Sequence, residues 1–165
     1  MDLLPDDLVA LARRVVEENA AAGRTVAVAE SCTGGLVSAA LTEIAGSSSV
    51  FDRGFVTYSN EAKRELLGVP EEILDAFGAV SVATAWAMAQ GALAKSGADV
   101  AVAISGVAGP GGGSESRPVG TVVFARAVRH GKDDDVDAEE RRFEDNGRAG
   151  VRRQAALVAL ELLLP

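Results

Sequence analysis

TVAVAESCTGGLVSAALTEIA, residues 25–45, is the stretch that decides the fold. TVAVAE is rich in β-branched residues and reads as a strand. Ser31 follows, then the Gly34-Gly35 pair allows a tight reversal, and LVSAALTEIA continues as a helix over 36–45. Strand, tight turn and helix form the repeating unit of α/β proteins.

Upstream, Leu8, Leu11, Ala12, Val15 and Val16 fall at helical spacing and Gly23 follows as a stop, so residues 6–22 are expected to form an amphipathic helix. Downstream, SSSVFDRGFVTYS (47–59) holds a second strand, placed over Gly54–Tyr58. Ser59 or Asn60 caps a short helix that runs to Leu67 and closes at Gly68. Pro70 to Phe77 suggests a further helical turn, and the alanine-rich segment 82–97 a helix ended by Gly97. DVAVAISGV (99–107) reads as a buried strand, AGPGGGSESRPVG (108–120) as a long loop, and TVVFARAV (121–128) as a strand returning in hairpin fashion. The acidic run beyond it is expected to be a solvated turn, with ERRFED an edge strand and residues 150–164 a terminal helix. The expectation is a three-layer α/β/α sandwich around a mixed sheet, with residues 1–165 forming one domain. No internal repeat or dividing linker is visible.

Hydrophobic residues make up 48% and charged residues 24% of the 165, enough apolar material for a core without disulfides. Cys32 is the one cysteine, so no intrachain disulfide can form. The acidic N-terminal segment does not read as a secretion signal, and no run of about 18 apolar residues offers a membrane span. A cytoplasmic location is therefore expected. The net charge of −8 is concentrated: residues 133–145 hold eight acidic and two basic side chains. No basic stripe is present, so binding to nucleic-acid backbones is not expected.

Three places hold candidate chemistry. In AESCTGG (29–35) a strand ends at a hydroxyl before a helix start, where backbone N–H groups favour negative charge, either a phosphate or the oxyanion of a tetrahedral intermediate. From this motif alone, Ser31 or Thr33 as a simple helix cap is the plainer reading, since capping is the commonest job for such a residue. Cys32 is a rival nucleophile, or a small buried hydrophobe. The only histidine, His130, sits beside Gly131 and the acidic run, a poor place for a rigidly held base, and the G-x-S-x-G elbow is absent. A nucleophilic Ser31 therefore needs a base other than histidine. In TYSNEAKRELLG (57–68), Lys63 falls in the first helical turn, where the helix dipole and burial both disfavour its charge and make it a candidate base. An exposed lysine on an ordinary helix face is the other reading. Tyr58 is either a packed aromatic or a residue that orients Lys63 or stacks on a substrate ring. The third place, ISGVAGPGGGSESRPVG (104–120), resembles a phosphate loop in composition but lacks the Gly-Lys-Ser/Thr ending of a Walker loop.

AESCTGGLVS, IAGSSSVFDRGFVTYSNEAKRELLGV, GAVS, ISGVAGPGGGSESRPVGTVVFA and VRRQA follow one another in an order that resembles the CinA C-terminal domain family, and within it the stand-alone members that act as nicotinamide mononucleotide deamidases. The resemblance implies an α/β/α domain that hydrolyses a nucleotide carboxamide to the acid and ammonia, with neither metal nor organic cofactor. It implies Ser31 as nucleophile, Lys63 as base and Tyr58 beside them. It also implies a substrate pocket drawing on Thr33, Gly34 and Gly35, on Ser48 in the Gly46-Ser47-Ser48 turn, and on Ser105, Gly106 and Gly109 in the glycine loop. Where the family often carries Gly-Asp-Arg this chain has Asn146-Gly147-Arg148, so Arg148, a phosphate or structural contact, keeps its register without the acidic neighbour. The implied partner is a small-molecule nucleotide, not nucleic acid or membrane. A homo-oligomer is expected, with Trp86 or leucine faces available for it. The alternatives are a nucleotide-binding module without catalysis and an accessory protein of DNA uptake or repair.

Overall fold

The structure, a computed structural model, describes residues 1–130 and 135–165. Its elements run α1 (Asp6–Ala22), β1 (Val26–Glu30), α2 (Leu36–Thr42), a 3-10 turn (Ser47–Ser49), β2 (Phe51–Val56), α3 (Asn60–Leu67), α4 (Glu71–Phe77), α5 (Val82–Ala94), β3 (Val100–Gly106), β4 (Thr121–Val128), β5 (Asp135–Arg142) and α6 (Gly147–Leu162). The five strands lie in the order β2-β1-β3-β4-β5. β2, β1 and β3 are parallel, while β4 and β5 are antiparallel to their neighbours, which makes the sheet mixed as expected.

The strands place valine and isoleucine on one face and mostly alanine on the other. Val26, Val28, Val100, Val102, Ile104, Val122 and Phe124 pack under α1, α2 and α6. Ala27, Ala29, Ala101, Ala103, Ala125 and Ala127 face α5, itself alanine-rich, with α3 and α4 packed outside it. Small side chains on both surfaces let α5 lie close to the sheet, as interior packing density requires. The same closeness recurs where α3 meets α5: a Cβ on Gly91 would overlap the Leu67 carbonyl. Trp86 and Val82 stay exposed on the outer face of α5. Among the described residues no helix is long and apolar enough to cross a membrane.

Two strands differ from the sequence reading. β2 covers Phe51–Val56 rather than Gly54–Tyr58, because its register is set by β1. Glu30 pairs with Val56 and accepts one last bond from the Thr57 N–H, after which Tyr58 leaves the sheet. β5 covers Asp135–Arg142, so most of the acidic run is strand and not turn, and ERRFED supplies only its end. Among the described residues β5 is paired on one side alone, and its mostly exposed, charged side chains guard that open sheet edge. The expected solvated turn at Asp133 and Asp134 lies outside the described residues. Several helix ends also shift: α2 stops at Thr42, α5 at Ala94, and α6 begins at Gly147.

Candidate active site

Ser31 is the first residue beyond β1, and its N–H still donates to the Ile104 carbonyl at 2.9 Å, so the sheet fixes its backbone. The chain then reverses through Cys32–Gly35. The Gly34 N–H closes the turn on the Ser31 carbonyl at 3.0 Å, and Gly35, with φ 101°, takes the cap position of α2. A glycine cap has no side chain to satisfy the helix start. That task falls to Glu30, the last residue of β1, which is fully buried. Its carboxylate accepts the N–H groups of Val37 and Ser38 at 2.9 and 3.0 Å and the Ser38 hydroxyl at 2.7 Å. The negative charge that this helix start favours is thus the chain's own.

Lys63 enters from the other side of β1. Ser59 caps α3, accepting the Ala62 N–H at 3.0 Å, and Lys63 N–H bonds the Ser59 carbonyl at 3.1 Å. The side chain, 1% exposed, runs inward; Nζ donates to the Thr57 carbonyl at 2.9 Å and lies 3.0 Å from Ser31 Oγ. Among the described residues no carboxylate pairs with it. Burial pulls the amine down from 10.5 to about 8, opposed in small part by the neighbouring Cys32. Burial also pushes the Cys32 thiol up to about 11, which leaves it protonated near neutral pH.

These groups open into a cavity of about 300 Å³, the low end of the range for small-ligand pockets. Ser31, Tyr58, Lys63, Ser105, Gly106, Gly109 and Arg148 line it, together with Cys32, Ala79, Val80 and the loop residues Val107, Ala108, Gly111 and Gly112. Tyr58 is exposed at the rim, and its hydroxyl accepts from Arg148 Nη2 at 2.8 Å. Arg148 Nη1 donates to the Gly109 carbonyl at 2.8 Å, so the arginine is held without the acidic neighbour the resemblance leads one to look for.

The structure does not bring every candidate together. Thr33 is fully buried beneath the turn, and Thr33, Gly34 and Gly35 are not among the cavity's lining residues. Ser48 lies exposed on the 3-10 turn, also away from the cavity. Ala79 and Val80, an apolar wall between α4 and α5, belong to the GAVS motif of the family resemblance but are not among the pocket residues it implies. Glu30 carries a faint signal in the sequence, a carboxylate ending an otherwise apolar strand, which does not by itself give it a role.

Sheet, turn and buried amine together define an α/β domain with a serine–lysine pair at the C-terminal edge of its parallel strands. The chain belongs to the CinA C-terminal domain family, whose sequence profile matches residues 8–165. It is 55% identical over 144 residues to a nicotinamide-nucleotide amidohydrolase PncC of Enterobacter agglomerans, covering 87% of this chain and 85% of the relative. A Symbiobacterium thermophilum relative described as competence-damage inducible is 54% identical over 145 residues, and the chain spans only 34% of its length. The crystal structure of the competence/damage inducible protein CihA from Agrobacterium tumefaciens superposes with a TM-score of 0.94 at 53% identity, covering 99% of this chain and 97% of that one.

Proposed function

We propose that this chain hydrolyses the carboxamide of nicotinamide mononucleotide, giving nicotinate mononucleotide and ammonia through a Ser31–Lys63 dyad. The observation that carries the reading is the buried Lys63 amine, with no carboxylate partner among the described residues, 3.0 Å from Ser31 Oγ. The relatives that bear the name nicotinamide-nucleotide amidohydrolase at this level of identity support the substrate.

Neutral Lys63 accepts the Ser31 proton as Oγ attacks the carboxamide carbon. The Gly34 N–H is committed to the Ser31 carbonyl, so of the turn amides the Cys32 and Thr33 N–H groups, which donate to no backbone carbonyl among the described residues, are left to serve the developing oxyanion. When the intermediate collapses, the C–N bond breaks and the Lys63 ammonium protonates the departing nitrogen, which leaves as ammonia. A water molecule, deprotonated by the same amine, then attacks the acyl ester. The C–Oγ bond breaks and Ser31 recovers its proton. Ala79, Val80 and Tyr58 offer a wall to the pyridine ring, while Arg148, Gly111 and Gly112 line the part of the cavity we assign to the polar end of a nucleotide. The test is ammonia release from nicotinamide mononucleotide: the wild type is active and Ser31→Ala loses several orders of magnitude in kcat. Full activity in Ser31→Ala rules the dyad out.

A further inference from the structure

We propose that Arg152 is a positioning residue for the Ser31 turn: its guanidinium holds the Cys32 and Thr33 carbonyls from behind and so fixes the direction of the N–H groups in the same peptide planes. The inference rests on the reading of Ser31 as nucleophile.

Arg152 lies on α6, four residues beyond Arg148, and is half-buried. Its Nε donates to the Cys32 carbonyl at 3.1 Å and its Nη2 to the Thr33 carbonyl at 3.1 Å. Among the described residues no carboxylate pairs with it, whereas its neighbour Arg153 pairs with Asp7 at 2.8 Å. Withdrawing a guanidinium from water to meet two neutral carbonyls is a costly way to join a helix to a turn; an apolar side chain would do so with less desolvation.

What the planar fork adds is direction. In a trans peptide the C=O and N–H point opposite ways. A fixed Cys32 carbonyl therefore turns the Thr33 N–H away from the guanidinium, and a fixed Thr33 carbonyl sets the Gly34 N–H, which closes on Ser31. The Thr33 N–H has no acceptor among the described residues. Glu30 ties down the far end of the same turn through Val37 and Ser38. Between these two anchors the Ser31 hydroxyl and the turn amides keep one geometry. Lysine cannot replace the fork, since a single ammonium does not hold two carbonyls in one plane.

The test compares wild type with Arg152→Ala, Arg152→Lys and, as a neighbouring control, Arg153→Ala. The rate at which a fluorophosphonate modifies Ser31 is followed by intact mass, alongside kcat and KM for the amide. Arg152→Ala is expected to label Ser31 about 100-fold more slowly, with kcat reduced to match and KM changed less than about threefold. Free guanidinium ion should recover at least about tenfold of that loss, Arg152→Lys should lie between, and Arg153→Ala should match wild type. Should Arg152→Ala not fold, Arg152→Lys with native circular dichroism carries the comparison. Wild-type labelling by either folded Arg152 variant, or a loss that guanidinium leaves untouched, overturns the proposal. A wild type that labels at Ser31 yet releases no ammonia sinks the substrate assignment and leaves this test standing; a wild type that does not label at Ser31 overturns both.

Discussion

The hydroxyl of Tyr58 accepts a hydrogen bond from Arg148 at 2.8 Å, joining the β2–α3 connection to the first turn of α6 across the mouth of the cavity. The pair is exposed and contributes little to stability. If Arg148 meets the anionic end of the substrate, Tyr58 aims it. Tyr58→Phe is then expected to raise KM by about tenfold while unfolding free energy changes by less than about 0.5 kcal/mol. Steady-state kinetics and urea melts check both halves. An unchanged KM places the substrate's charge elsewhere.

A base held near 8 makes activity pH-dependent with a definite sign. Below about 8 the amine is protonated and cannot accept the Ser31 proton, so kcat/KM should rise about tenfold per pH unit and level off above that value.

Stability should move in the same direction. The unfolded chain keeps its Lys63 proton up to about 10.5, the folded chain only up to about 8, so between these values the unfolded state binds the extra proton and stability rises with pH. Relative to Lys63→Met, wild type is expected to gain on the order of 3 kcal/mol across that window in denaturant titrations. Parallel curves for the two proteins would show that the buried amine is not strained by its surroundings.

Cys32 sits beside the nucleophile yet holds its proton, with burial keeping the thiol up at about 11. Cys32→Ala should retain ammonia release within about threefold, because a protonated thiol is a poor nucleophile. Loss of activity in Cys32→Ala with Ser31→Ala active would transfer the reaction to sulfur.

α3 delivers Lys63, and its position depends on the contact between Leu67 and Gly91. Gly91→Ala places a methyl group against the Leu67 carbonyl and should cost about 1–3 kcal/mol in unfolding free energy. Because the strain falls at the end of α3, kcat should drop as well. A mutant as stable as wild type would show that the two helices separate without penalty.

Much of this was legible in the sequence because it is local. The strand, turn and helix at 25–42 follow from β-branched residues, a glycine pair and helix formers in direct succession. The limits of β2 are set by pairing with β1, a non-local fact that the stretch Gly54–Tyr58 does not carry. β5 does not read clearly as a strand because an edge strand need bury few side chains: Asp135-Val136-Asp137-Ala138 alternates, but the four charged residues Glu139–Arg142 that follow break the apolar alternation that marks a strand. Ser31 and Lys63 could be named through motifs 32 residues apart, which the fold brings to hydrogen-bond distance. Glu30 and Arg152 could not be given roles in the same way. Their partners are mainly backbone atoms, which leave no complementary residue type in the sequence.

The most direct measurement is the titration of the Lys63 side-chain amine by 15N nuclear magnetic resonance in the folded protein. A midpoint near 8, coincident with the rising limb of kcat/KM, is the expected result. A midpoint near the ordinary 10.5, with full activity while the amine is still charged, would contradict a neutral Lys63 acting on Ser31.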